Sequence, residues 1–286
     1  MKKRAYYHIY TKGTEDDVIF RSRPDYVAGM NFVAITTRQI NLDMLAFVLM
    51  SNHFHFVVYA TQDEAVRFIN MYKQKLSIYL RYRYGITKPL ARLEAECKLI
   101  DLRDEGLKKI IAYILNNPVK AGINCQPQNY EWSTCRYYFS DIDRTSDLIS
   151  LDQFGTRKLR CILHSRYIPS GNMKLNSDFY IDPSSYVNIR AVENLFKRAS
   201  SLEYFLASSN KSSTKGETIA FSDQLVLNYL TEILEKKYDS LDVKELPSEL
   251  RSKIISELKS KFHSNPRQLG RVMNMDIRDI LLLSVP

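Results

Sequence analysis

Apolar and polar residues alternate through the first part of the chain. AYYHIYTKG (5–13) reads as an opening strand, and LAFVLM (45–50) and SNHFHFVVY (51–59) read as two more, all rich in aromatic and branched residues. Between them Tyr26, Met30 and Val33 recur at helical spacing and predict a helix over 25–37. The clearest helical stripe runs from about Glu64 to Tyr82, where Ala65, Phe68, Ile69, Tyr72, Leu76, Tyr79 and Leu80 share one face; Gly85 and Pro89 close it. A further helix is expected over 107–117, with Ile110, Ile111, Ile114 and Leu115 apolar. It must stop near Pro118, because the residue before a proline avoids helical geometry. Strands and helices in this order predict an α+β sandwich.

From Asp141 the pattern loosens. The chain therefore divides into a first domain over 1–140, an irregular connecting region over 141–207, a polar linker over 208–218 (SSNKSSTKGET) and a helical C-terminal domain over 219–286. In the last of these Leu250, Ile254, Leu258 and Phe262 lie on one helical face, while Asn265 with Pro266, and then Asn274 to Asp276, signal two helix starts. The resulting three-helix unit reads either as a helix-turn-helix that touches DNA or as helices that only pack together.

Composition narrows the function classes. No apolar run reaches the roughly 20 residues of a membrane span, and the basic N-terminus MKKRAYYHIYTKG lacks the apolar stretch of a secretory signal, so a cytoplasmic protein without a membrane partner is expected. Cys97, Cys125, Cys135 and Cys161 are scattered, with neither a CxxC pair nor zinc-finger spacing, and read as reduced structural thiols. The net charge of +9 is uneven: residues 1–140 carry 20 Lys and Arg against 13 Asp and Glu. That excess suits a polyanionic partner for the first half.

Two clusters carry candidate chemistry. In His53-Phe54-His55 the period of a strand sends both imidazoles to one face, where they either share a metal ion or stand as two half-exposed strand histidines. In IAYILNNPVKAGI, Tyr113 and Asn117 are four residues apart and share a helix face. A phenol can attack phosphorus and keep the bond energy as a phosphotyrosine ester, and an amide oxygen from Asn117 would complete a metal site; the bland alternative is a packing tyrosine. Lys73, Lys75, Arg81 and Arg83, interleaved with Tyr72, Tyr79, Tyr82 and Tyr84, suit phosphate contact and base stacking, although Tyr72 and Tyr79 already belong to the apolar stripe. The single tryptophan, Trp132, is expected to pack rather than stack on a base.

MSNHFHFVV resembles the histidine-hydrophobic-histidine motif of the HUH single-strand nucleases. YILNNPVKAGI followed by NYEWSTCRYY is similar to the downstream signature of the REP-associated tyrosine transposases, and YHIYTKG fits the opening of that family. The resemblance covers about residues 5–140 in the family's order and spacing. It implies a small antiparallel sheet flanked by helices, here with a helical C-terminal extension. It further implies Mg2+ or Mn2+ held by His53, His55 and Asn117, and Tyr113 as the nucleophile of a 5′-phosphotyrosine intermediate. The stretch TKPLARLEAECKLID (87–101) departs from the glycine- and arginine-containing segment of many family members, and the chain beyond Asp141 matches less closely.

The activity so implied is cleavage and strand transfer of single-stranded DNA during transposition, on a substrate with hairpin structure, by a monomer or a homodimer. Imidazoles favour the softer manganese, whereas an amide oxygen and phosphate suit harder ions. No strong general base for the phenol stands out in the sequence. Two other readings share these residues: a domesticated module that binds hairpins without cutting, and an HUH replication or relaxase-type nuclease, which places its tyrosine differently.

Overall fold

The computed structural model describes residues 3–11, 18–87, 90, 93–121, 123, 126–140, 147–169, 172–210, 223–238, 240, 242–262, 264 and 266–283. The fold is α+β. Strands β1 (Ala5–Thr11), β2 (Asp43–Leu49), β3 (Phe54–Ala60) and β4 (Ala95–Leu99) form one sheet in the order β2-β3-β1-β4, every neighbouring pair antiparallel. Tyr10 lies opposite His55 in the register, His8 opposite Val57 on one side and Lys98 on the other.

Alternation assigns the two faces. Phe54 and Phe56 of β3 meet Phe68 and Tyr72 edge-on, at ring separations of 5.0–5.1 Å, so this face is covered by helix α2 (Gln62–Tyr84). Helix α1 (Arg23–Ile40) packs beside it. All seven residues of the α2 stripe are buried. Thr61 and Glu64 close the start of α2 reciprocally, and Gly85, at φ 68°, ends it in the left-handed conformation that glycine adopts without strain. Asp25, fully buried in α1, accepts hydrogen bonds from Tyr79 and Tyr84 and pairs with Arg83, tying the two helices together.

On the other face, carrying His8, Tyr10 and His55, lies α3 (Gly106–Leu115), followed by the single turn α4 (Asn117–Lys120). The chain enters α3 through Asp104 and Glu105, both left-handed, and Gly106, where a β-carbon would stand 1.8 Å from the Asp101 carbonyl oxygen. Only glycine fits there.

The segment over 141–207, expected to be irregular, is largely folded into the same core. Helices α5 (Thr156–Leu163), α6 (Ile189–Phe196) and α7 (Ala199–Asn210) bury Leu159, Leu163, Val192, Phe196, Leu202 and Leu206 with the sheet residues, and a small antiparallel sheet pairs β5 (Ile149–Ser150) with β6 (Lys174–Leu175) across α5. Their apolar positions are too sparse, on elements too short, to show as a period in the sequence. Within the expected linker, 208–210 end α7, and 211–218 fall outside the described residues.

A second apolar cluster belongs to the chain beyond 222. Here α8 (Asp223–Tyr238), α9 (Ser248–Phe262), α10 (Pro266–Met273) and α11 (Ile277–Leu282) surround Val226, Leu230, Ile254, Leu258, Phe262, Leu269 and Ile280. The three helices expected here are α9, α10 and α11, with α8 before them, and the two that would form a helix-turn-helix have eight and six residues. No helix among the described residues is long and apolar enough to cross a membrane.

Candidate functional site

The site gathers on the sheet face under α3. His55 points from β3 to this side, and the hairpin bond from Met50 N–H to the His53 carbonyl puts His53 in the turn just before the strand rather than within it. The two imidazoles nevertheless converge, with ring centroids 5.1 Å apart and planes at 88°. They are not two surface groups: His55 is 6% exposed, because α3 and the rings of His8 and Tyr10 cover it.

Helix α3 buries Leu107, Ile111, Ala112, Ile114 and Leu115, against β2, β3 and α7, and turns Tyr113 outward. Tyr113 is 40% exposed and meets His55 edge-to-face at 6.0 Å. The helix breaks at Asn116, so Asn117 opens α4 instead of continuing the tyrosine's helix. Its side chain still folds back, Nδ2 donating to the carbonyls of Tyr113 (3.0 Å) and Ile114 (3.3 Å). The preceding Asn116 is fully buried and donates to the Leu206 carbonyl and Ser209 Oγ of α7, which anchors the turn.

Burial pushes the His53 imidazole down to about 4, and Arg271 assists while its hydrogen bond with Asn117 and the charge of Asp223 oppose. His8 also falls to about 4, through burial and then the Lys98 charge; His55 falls well below its ordinary value through burial and then its neighbours His53 and His8. Neutral imidazoles can hold a metal.

The donor set fits a divalent ion in composition. His53 Nδ1 lies 2.8 Å from Asn52 Oδ1, and Asn117, whose NH2 donates to two carbonyls, makes a further hydrogen bond to that ring. Among the described residues no three His, Cys, Asp or Glu side chains gather as a metal site.

Residues not singled out from the sequence also border the site. His8 Nε2 lies 3.0 Å from His55 Nδ1, Lys120 Nζ sits 4.4 Å above the Tyr113 ring, and Tyr10 donates to Glu96 at 2.5 Å. From the C-terminal helices, Asp223 accepts from the Ser51 hydroxyl at 2.6 Å, two residues before His53, and is paired with Arg271. A cleft of about 620 Å3, lined by His8, Lys98, Leu99, Arg103, Lys109 and Ile110 among others, opens beside β4.

The four basic residues expected to hold DNA are not brought to this site. All lie on α2, across the sheet. Lys73 donates to the Leu93 carbonyl, Arg83 is paired with Asp25, Lys75 is partly buried, and Arg81 borders a separate groove. Of the interleaved tyrosines, Tyr72 and Tyr79 are core residues and Tyr82 is 80% exposed. Trp132 packs as expected, stacked 4.8 Å from Tyr26. Cys97, Cys135 and Cys161 are free thiols, and Cys125 lies outside the described residues.

No family model and no curated protein matches the chain. Among solved structures, the chain is similar to a REP-associated tyrosine transposase bound to a REP hairpin, at 13% identity over 48% of this chain and 79% of that one, with a TM-score of 0.36. A likeness that slight assigns neither family nor activity, so the functional reading rests on the motifs and on the geometry of the site.

Proposed function

We propose that the chain is a divalent-metal-dependent transposase that cuts single-stranded DNA with Tyr113 and rejoins it to another end. The observation that carries this reading is the meeting of His53, His55, Tyr113 and Asn117 from three separate elements at one face of the sheet. Two tyrosines lie near His55, but the Tyr10 hydroxyl is committed to Glu96, whereas Tyr113 stands at the surface. The motif resemblance and the basic first half support the same reading.

In the proposed reaction the Tyr113 oxygen attacks phosphorus in line. The phenol loses its proton to solvent as the phosphotyrosine bond forms, the bond from phosphorus to the 3′ oxygen breaks, and that oxygen takes up a proton from solvent to leave as a 3′-hydroxyl. Mg2+ or Mn2+ held by His53, His55 and Asn117 would draw charge from a non-bridging oxygen. Lys120 brings a positive charge to the phenol face, where the phosphate must arrive. The cleft beside β4 gives a single strand, presented from a hairpin, its approach.

The test is incubation with hairpin-bearing single-stranded oligonucleotides and Mn2+, followed by denaturing electrophoresis and mass spectrometry. A covalent adduct on the peptide carrying Tyr113 is expected. DNA binding without any adduct would instead mark a hairpin-binding module.

A further inference from the structure

We infer that His8 is a positioning residue for His55, accepting the Nδ1 proton of His55 and so leaving Nε2 as that ring's bare nitrogen. The inference rests on the proposed role of His55 as a metal ligand.

The geometry is specific. His8 Nε2 and His55 Nδ1 are 3.0 Å apart and the rings are nearly parallel, 5.2 Å between centroids and 20° between planes. His8 is itself held: the Tyr10 ring lies 4.7 Å away, Glu96 fixes the Tyr10 hydroxyl, and Lys98 covers the Tyr10 ring at 5.1 Å. The antiparallel register of β1, β3 and β4 thus builds a row running from Glu96 through Tyr10 and His8 to His55.

An N–H···N bond holds one proton between two nitrogens, and a neutral imidazole has one N–H. Donation by His8 would leave His55 with its proton on Nε2 and no lone pair for a metal. Donation by His55 leaves Nε2 bare. Metal-binding histidines hand their other N–H to an acceptor in this way, and here the acceptor is a second imidazole rather than a carboxylate.

Two measurements decide it. Imidazole 15N spectra of the metal-free protein should show the proton of His55 on Nδ1; a proton on Nε2 overturns the inference. Titration with Mn2+ should show His8→Phe weakened about 10- to 100-fold, as loss of such a partner costs elsewhere. His8→Gln, whose amide oxygen can accept the same proton, should retain most of the affinity. Mn2+ affinity unchanged in a folded His8→Phe sinks the role of His8 and leaves the proposed function standing. A wild type that binds no Mn2+ sinks both.

Discussion

Tyr113 meets His55 edge to face, ring centroids 6.0 Å apart and planes at 86°, with the tyrosine on the solvent side. Replacing it with phenylalanine removes only the hydroxyl. Tyr113→Phe should therefore keep its stability within about 0.5 kcal/mol of the wild type and bind DNA equally well, while forming no adduct. Gel shift, denaturant unfolding and adduct mass spectrometry check the three parts. Adduct formation by Tyr113→Phe would reassign the nucleophile.

Removing the two histidines proposed as ligands should differ in its cost to stability. His53→Ala removes a partly buried ring from a turn, whereas His55→Ala empties a covered position between His8 and His53. His55→Ala should cost about 1–3 kcal/mol and His53→Ala less, with cleavage lost in both. Equal unfolding midpoints in urea for the two variants would contradict this packing.

Acid should weaken the metal-free protein early. His8 and His53 titrate near 4 in the folded chain and near 6.5 when unfolded, so between these values the unfolded state binds more protons and stability falls as pH falls. The loss should begin below about pH 6.5, approach about 1.4 kcal/mol per pH unit for each group, and flatten near pH 4 for these two groups. Unfolding in EDTA from pH 7.5 to 4.5 measures it. His53→Ala should show a shallower slope; the same slope would mean that the fold does not depress the His53 imidazole.

Truncation separates the roles of the later segments. A chain ending at Ser140 loses α7, and with it the cover over α3 and the two acceptors that hold Asn116. It should be insoluble or inert. A chain ending at Asn210 keeps the first apolar cluster whole and should fold cooperatively in thermal melts. Robust adduct formation by the shorter chain would show that α7 is dispensable to the tyrosine's turn.

Much of the sheet and its first helices was legible, because β1, β3 and the α2 stripe carry strong periods. β4 was not: AECKL is an edge strand, half exposed, with little alternation to read. Spacing and motif singled out His53, His55, Tyr113 and Asn117 as a group, and the fold does bring them together. His8 was not, since its contact with His55 depends on a register between strands far apart in sequence. The basic residues of α2 were misleading for a related reason: composition reveals a charge but not the sheet face beneath it.

The Ser51 hydroxyl joins the His53 turn to a carboxylate whose other partners, Gln268 and Arg271, belong to the last helices. Those helices bury their own apolar residues among themselves. The joint is consequently ionic while the bodies on either side are oily, and ionic strength and heat act on them differently. The contact lets the turn that carries His53 register whether the distant C-terminal helices are in place.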